Sequence, residues 1–205
     1  MALDMHEPLV LASASPRRQE LLGLVGISFE VLPGQVEETP LHQEEPASHV
    51  LRLAEEKARF VARQRPRAWI LGADTIVVIE RAILGKPAGR DEAQGMLRRL
   101  SGRTHTVFTG FCLFNEEKQA AMSRAVTSFV RFRHLADDEI AWYLQTPEPY
   151  DKAGAYAVQG KGAFFIREIH GSYTNVMGLP LCEVMDALKT LGIIAFSEVR
   201  KGNEP

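Results

Sequence analysis

The stretch Leu9-Val10-Leu11-Ala12-Ser13-Ala14-Ser15-Pro16-Arg17-Arg18 sets the pattern of the fold. Its four leading apolar residues are typical of a short buried strand, and Ser15 followed by Pro16 is typical of a helix start. Two arginines in the first turn lie at the positive end of the helix dipole, a position that favours a bound anion. The stretch therefore predicts a strand, a loop and a helix that together bind phosphate. The alternative is that Arg17 and Arg18 are exposed charges paired with nearby acids.

The composition is that of a globular protein without a basic excess. The chain has 205 residues, of which 45% are hydrophobic and 24% charged, and its net charge is −2. This length allows one large domain, 1–205, or two small lobes. A charge close to zero provides no field for nucleic acid, and no aromatic-basic stripe supports a single-strand RNA binder.

Three sequence features predict a cytoplasmic protein. The segment 1–8 carries Asp4 and Glu7 and lacks the cationic and apolar regions of a signal peptide. No apolar run reaches membrane-spanning length, so no membrane association is expected. Cys112 and Cys182 stand alone inside apolar stretches, which predicts buried thiols in a reducing compartment and no zinc site.

The order of the predicted elements indicates an α/β fold. Strands alternate with helices early in the chain, and a long antiparallel pair follows in the middle. This arrangement predicts an elongated, twisted mixed sheet flanked by helices. Helices are predicted at 16–25, 46–63, 91–100, 137–144 (capped by Asp137) and 181–191, and strands at 9–12, 29–32, 104–114, 125–133 and 164–169. The polar tail 197–205 is predicted to be mobile.

One acid and two lysines are candidates for chemistry. Asp74 interrupts the apolar run 69–79, which predicts a carboxylate at a strand end that acts as a general base or metal ligand. The alternative is a carboxylate that caps a loop or pairs with a core lysine. Lys57 falls on the apolar face of its helix, and Lys86 lies between Gly85 and Pro87; both are candidate phosphate contacts. Otherwise Lys57 is a snorkelling side chain and Lys86 an ordinary hairpin lysine.

Further acids could supply a metal site. A divalent cation such as Mg²⁺ takes carboxylate oxygens together with substrate phosphate oxygens, and Glu37, Asp74 and Asp151 are the candidate ligands. The alternatives are solvated loop acids, including the neighbouring Glu38, and an exposed ion pair of Asp151 with Lys152. No Gly-x-Ser-x-Gly elbow supports serine-hydrolase chemistry.

Taken together and in this order, the polar clusters resemble the Maf family of nucleoside triphosphate pyrophosphatases. The resemblance covers nearly all of 9–191. The matching motifs are Ser13-x-Ser15-Pro16-Arg17-Arg18-x-Glu20-Leu21-Leu22, Glu37-Glu38, Glu56-Lys57-Ala58, Gly72-Ala73-Asp74-Thr75, Gly85-Lys86-Pro87, Leu100-Ser101-Gly102, Asp151-Lys152-Ala153-Gly154-Ala155-Tyr156 and Val176-Met177-Gly178-Leu179-Pro180. It implies the fold of the inosine-triphosphate pyrophosphatase-like proteins, with a cleft between two lobes.

The resemblance also implies an activity and a site. Family members look like cytoplasmic housecleaning enzymes, often dimeric, and the implied reaction splits a nucleoside triphosphate into a monophosphate and pyrophosphate. Asp74 would act as base or metal ligand. Mg²⁺ or Mn²⁺ would bind to Glu37 with Asp74 or Asp151. The triphosphate would be held by Ser13, Arg18, Lys57 and Lys86.

Within that family the chain is similar to the dTTP/UTP subgroup. That subgroup has Arg, Thr and Gln where this chain has Arg17, Thr75 and Gln159, which would read the pyrimidine. A subgroup specific for 7-methyl-GTP typically has Trp in place of Arg17. The chain departs from the pattern at Ala157-Val158, where Gly-Ile is usual. Modified pyrimidine triphosphates would also suit the pocket, and the rival hypothesis is a non-catalytic nucleotide-binding regulator of cell division.

Overall fold

The computed structural model describes residues 2–197, which form a mixed α/β fold. The strands are β1 (Ala2–Met5), β2 (Leu9–Leu11), β3 (Glu30–Val31), β4 (Trp69–Ile79), β5 (Ala82–Leu84), β6 (Thr104–Asn115), β7 (Ala120–Phe132), β8 (Ile166–His170) and β9 (Ile194–Ser197). The α-helices are α1 (Pro16–Leu24), α2 (Pro46–Ala62), α3 (Arg90–Leu100), α4 (Asp137–Tyr143), α5 (Tyr173–Met177) and α6 (Leu181–Thr190).

The main sheet contains seven strands in a mixed arrangement. Its order is β3-β2-β4-β6-β7-β8, and β5 forms a hairpin with β4. Strand β2 is parallel to both β3 and β4, whereas β4–β6, β6–β7 and β7–β8 are antiparallel. The predicted mixed sheet with its long antiparallel pair is thereby confirmed. The division into two lobes stays a prediction.

Helices cover both faces of the central strands. Alternate residues of β2 and β4, such as Leu11 and Leu71, pack with α1 and α6, whereas their neighbours Val10 and Ile70 pack with α2. Both faces are therefore buried, which explains why the segment 69–79 is an apolar run and does not alternate. A third apolar cluster contains α3 and α4 with the remaining part of the sheet. Within residues 2–197 no helix combines the length and apolarity needed to cross a membrane.

The structure corrects the predicted setting of Asp74. The sequence predicted Asp74 at a strand end, but β4 continues from Trp69 to Ile79 and Asp74 lies in its middle. Gly72 also lies inside β4, and α2 packs closely against it. A Cβ at Gly72 would lie 2.1 Å from the backbone oxygen of Ala54.

Smaller differences concern the ends of elements. Cys182 is exposed, not buried, because it lies two residues before the buried Val184 and so on the opposite side of α6. Helix α4 takes Ala136 as its N-cap, and Asp137 is its first residue. Ser197 closes β9, which pairs antiparallel with β1; the rest of the predicted tail, 198–205, lies outside the described residues.

Buried His105 gives the fold a testable pH dependence. Its Nε2 lies 2.8 Å from the Tyr156 hydroxyl, and burial lowers its pKa to about 3. The unfolded chain, with an ordinary histidine pKa near 6.5, therefore binds a proton that the folded chain refuses, so stability falls as the pH drops below about 6.5. We expect this histidine to account for about 2 kcal/mol of lost unfolding free energy between pH 7 and pH 5.

Urea unfolding at the two pH values checks this expectation with His105→Gln. The glutamine can keep a hydrogen bond to Tyr156 but cannot titrate in this range. The variant should lose about 2 kcal/mol less than the wild type between pH 7 and pH 5. Equal losses in both proteins would contradict the prediction.

Candidate active site

Most of the predicted site residues line one cleft of about 690 Å³. This size is within the usual range for small-ligand sites. The loop after β2 and the first turn of α1 form one wall, and β4 contributes its middle residues. The cleft is lined by Ser13, Arg17, Arg18, Lys57, Asp74, Thr75, Lys86 and Asp151, among others. The sequence clusters therefore meet in space, as the resemblance implied.

At the centre of the cleft a buried ammonium group bridges two acids. Lys57 Nζ donates to Asp74 Oδ1 at 2.7 Å and to Glu38 Oε1 at 2.6 Å. Lys57 and Asp74 are each 7% exposed. Among residues 2–197 the other carboxylate oxygen of Asp74, Oδ2, has no hydrogen-bond partner. Asp74 thus has one oxygen fixed by a cation and one free to accept a proton or a ligand.

Close backbone packing makes this ion pair possible. Opposite Asp74, on β6, a Cβ at Gly110 would lie 2.4 Å from the backbone oxygen of Val50 in α2. With Gly72 this removes two side chains from the face of the sheet that α2 covers. The helix therefore lies close enough for Lys57 to reach Asp74. The loop that follows β3 also passes close to α2, since a Cβ at Gly34 would lie 2.8 Å from the backbone oxygen of Lys57.

Glu38 is the acid that this loop brings to Lys57. Partial burial acts to raise the pKa of Glu38, but the hydrogen bond and charge of Lys57 outweigh it, so the pKa lies below its usual value. Both acids are exposed, but Glu37, the sequence candidate, accepts a hydrogen bond from Thr39 Oγ1 at 3.1 Å and none from Lys57. Glu37 is not among the residues that line the cleft. Adjacent loop residues point in different directions, and no local periodicity indicates which of the two turns inward.

The buried guanidinium of Arg18 is largely committed to protein partners. Nη1 donates to Ser13 Oγ and to the Ala73 carbonyl, each at 2.9 Å, and Nε donates to the Gly178 carbonyl at 2.8 Å. Nη2 donates to Thr75 Oγ1 at 3.1 Å. Four of its five N–H groups are thereby used. Burial lowers the pKa of Arg18, and the charge of Asp74 opposes that shift.

Arg17, Lys86 and Asp151 are the more accessible charges of the cleft. Lys86 is exposed and Arg17 is half-buried. Asp151 forms an ion pair with Lys152, as the alternative interpretation anticipated, yet both line the cleft. Partial burial acts to raise the pKa of Asp151, but Lys152 and then Arg17 outweigh it, and the pKa is lowered. The accessible cations can therefore meet an anionic ligand directly.

The three predicted base-reading residues are not equally placed. Arg17 and Thr75 line the cleft. The Thr75 hydroxyl lies 2.9 Å from Thr109 Oγ1, within a hydrogen-bonded group that also includes Arg18. Gln159 is half-buried and is not a lining residue, although Ala157 and Val158 just before it are. Gln159 therefore stands at the edge of the cleft.

The predicted metal ligands do not form a ready-made site. Within residues 2–197 no three His, Cys, Asp or Glu side chains are grouped so that they could hold a metal. Glu37 lies apart, and the carboxylates that line the cleft are Glu38, Asp74 and Asp151. These are hard oxygen donors of the kind that Mg²⁺ and Mn²⁺ accept together with phosphate oxygens. The donor chemistry therefore fits such a cation, with Glu38 in place of Glu37.

A histidine of the cleft was missed by sequence reasoning. His49 lines the cleft, and its Nδ1 lies 2.8 Å from Glu44 Oε2. Glu44 also receives Nε and Nη2 of Arg52, at 2.7 and 2.8 Å. These bonds, led by that of Arg52, hold the pKa of Glu44 well below its usual value. A usable signal was present, since His49 is eight residues before Lys57 and helical spacing puts both on one face.

Replacement of Gly72 tests how strongly the site depends on the packing of α2. Gly72→Ala introduces a Cβ against the helix backbone, so we expect the unfolding free energy to fall by about 1–3 kcal/mol. Gly95→Ala is the matched control, because a Cβ at this position in α3 meets nothing within 4 Å. That control should be neutral or stabilising by up to about 1 kcal/mol. Chemical denaturation measures both, and equal stability of the two variants would contradict the packing argument.

Comparison with known proteins assigns the chain to a family. A model of the family described as Maf-like protein matches residues 8–191. A dTTP/UTP pyrophosphatase of Syntrophus aciditrophicus (strain SB) is 56% identical over 193 residues, or 94% of each chain. Proteins of the same name from Geobacter sp. (strain M21) and Geotalea uraniireducens (strain Rf4) are 53% and 52% identical, over 92% and 91% of this chain and 98% and 96% of their own. The family model and these relatives span most of the sequence, and the chain belongs to the Maf-like protein family.

Proposed function

We propose that this chain is a nucleoside triphosphate pyrophosphatase that hydrolyses dTTP and UTP. The reaction adds water across the α–β phosphoanhydride bond and gives a nucleoside monophosphate and pyrophosphate. Two kinds of support converge. The relatives named above carry this activity in their names over nearly the full chain. The observation that carries the proposal is Asp74, buried and paired with Lys57, in a cleft lined by cations.

In the proposed mechanism Asp74 orients and deprotonates the attacking water. Its Oδ1 is held by Lys57, so Oδ2 is the oxygen that accepts the proton. The ammonium group of Lys57 balances the carboxylate charge of Asp74 across their 2.7 Å contact. As in phosphoryl transfer generally, positioning and charge neutralisation supply most of the rate enhancement.

Other side chains at the cleft bind the triphosphate and the nucleobase. Lys86 and Lys57 neutralise phosphate charge, while Ser13 and Arg18 shape the phosphate-binding wall. Arg17, Thr75 and Gln159 select the pyrimidine. Modified pyrimidine triphosphates fall within the same class of substrate. These roles remain proposals for each residue.

The cofactor and the setting of the protein are also proposed. With Asp74 as the base, Glu38 and Asp151 would hold a divalent cation, Mg²⁺ or Mn²⁺, which would supply Lewis-acid polarisation of the phosphate. The proposed setting is the cytoplasm, with neither nucleic acid nor membrane as a partner, and the proposed assembly is a homodimer.

Pyrophosphate release from a panel of triphosphates tests the function. The panel contains dTTP, UTP, CTP and 7-methyl-GTP, each with and without Mg²⁺ or Mn²⁺. We expect metal-dependent release from dTTP and UTP, and a loss of about 10²–10⁴-fold in kcat for Asp74→Asn, the usual contribution of a general base. Release from 7-methyl-GTP alone would overturn the specificity, and binding without release would favour the regulator. Circular dichroism of the variant controls for folding.

A neighbouring pair of acids offers an internal comparison. Glu38→Gln and Glu37→Gln remove the same charge one residue apart, but only Glu38 hydrogen-bonds Lys57. We expect Glu38→Gln to lower kcat/KM by about tenfold or more, the effect of a lost charge-assisted hydrogen bond. Glu37→Gln should stay within about twofold, as for an exposed surface charge. Equal effects of the two substitutions in steady-state assays would contradict the assignment of Glu38.

A further inference from the structure

The carboxylate of Glu148 clamps the backbone that follows Gln159. Glu148 begins a short 3-10 turn, Glu148–Asp151, and Gly160–Phe165 forms another. Glu148 Oε1 accepts the backbone N–H of Lys161 at 2.9 Å, and Oε2 accepts that of Gly162 at 3.0 Å. Two backbone donors, two and three residues after Gln159, are therefore fixed by one side chain.

The residue that follows Gln159 leaves room for the Glu148 carboxylate. Gly160 has φ +81°, and a Cβ there would lie 1.8 Å from Glu148 Oε1. The positive φ favours glycine at this position, and a Cβ there would force the Glu148 carboxylate to move. The buried hydroxyl of Tyr143 accepts the backbone N–H of Ala157 at 3.2 Å, which fixes the same segment at its beginning. The residues before and after Gln159 are thus held by Tyr143 and Glu148, two side chains that also interact with each other.

The 3-10 turn Glu148–Asp151 also reaches the cleft, at its C-terminal end. Lys152 Nζ donates to the backbone carbonyl of Glu148 at 3.0 Å and also pairs with Asp151. Asp151 and Lys152 line the cleft, whereas Glu148 does not. Glu148 consequently connects the charged wall of the cleft to the segment that presents Gln159.

We propose that Glu148 is a positioning residue for nucleobase selection. It holds Gln159 at the edge of the cleft without touching the nucleotide, so its loss affects the choice of base more than the hydrolytic step. This inference rests on the proposed function, in which Gln159 reads the pyrimidine. It adds to that function a residue whose side chain lies outside the cleft.

Glu148→Gln tests the proposal, because the amide NH₂ would face one of the two backbone donors. The assay measures KM and kcat for dTTP and for CTP. It also measures how strongly each nucleotide competitively inhibits hydrolysis of the other. We expect the dTTP-over-CTP ratio of kcat/KM to fall about tenfold, mainly through a higher KM for dTTP, as expected for a lost charged hydrogen bond. Glu139→Gln is the matched control, since Glu139 Oε2 accepts the backbone N–H of Ala136 at 2.8 Å outside the cleft. That control should leave the ratio unchanged.

The outcomes separate this inference from the proposed function. A wild type that releases no pyrophosphate from dTTP would overturn the function itself. If the wild type is active and Glu148→Gln lowers dTTP and CTP turnover equally, the effect is structural and the positioning role is refuted. An unchanged ratio refutes it as well.

Gly160→Ala disrupts the same contact from the Gly160 side. It is the variant to test if Glu148→Gln does not fold. Its Cβ would displace the Glu148 carboxylate, so it should also lower the dTTP preference. In the double variant the two effects should not add, because both break one contact. Fully additive effects, or a Gly160→Ala protein that folds and keeps the wild-type preference, would refute the clamp.

Discussion

The bridge from Lys57 to Asp74 and Glu38 is the interaction on which the rest of the site depends. A buried ammonium group is tolerated only when its charge is compensated, and removing one partner of a buried ion pair typically costs about 3–5 kcal/mol. Here the compensation comes from two directions, since Asp74 lies in the sheet and Glu38 in a loop. The bridge therefore connects α2, β4 and the loop that carries Glu38 at the proposed reaction site.

To accommodate that bridge, the sheet gives up apolar side-chain packing, and this loss is visible in its sequence. A central strand buried on both faces would ordinarily carry bulky apolar residues throughout. Strand β4 instead has Gly72 and Asp74, and β6 has Gly110 opposite Asp74. The two glycines give up side-chain packing so that the backbone of α2 can approach. Such departures from local rules are expected where a protein accommodates function at the expense of packing.

The sequence predicted the parts of this arrangement that local pattern controls. Helical spacing put Lys57 on the buried face of α2, where it lies. The polar clusters suggested one shared site, and most of their residues line one cleft, while their roles stay predictions. The β1–β9 pair was not predicted, because it joins the two ends of the described chain and no local pattern records that contact. Nor could spacing distinguish Glu37 from Glu38, since irregular loops have no repeat. The continuity of β4 was missed because Gly72 is typical of an interruption unless the helix above it is known.

Arg18 and Arg17 show how neighbouring residues of the same type can differ in their contribution. Arg18 donates to the loop after β2, to β4 and to the turn after α5, so it acts as a cross-link within the wall of the cleft. Arg17, one residue earlier on the same helix, is half-buried and lines the cleft. A wall whose hydrogen bonds are already formed loses little conformational freedom when an anion arrives, so more of the interaction energy of the accessible cations remains as affinity. The proposed phosphate site is then better described as a rigid frame that carries a few accessible cations than as a cluster of equivalent basic residues.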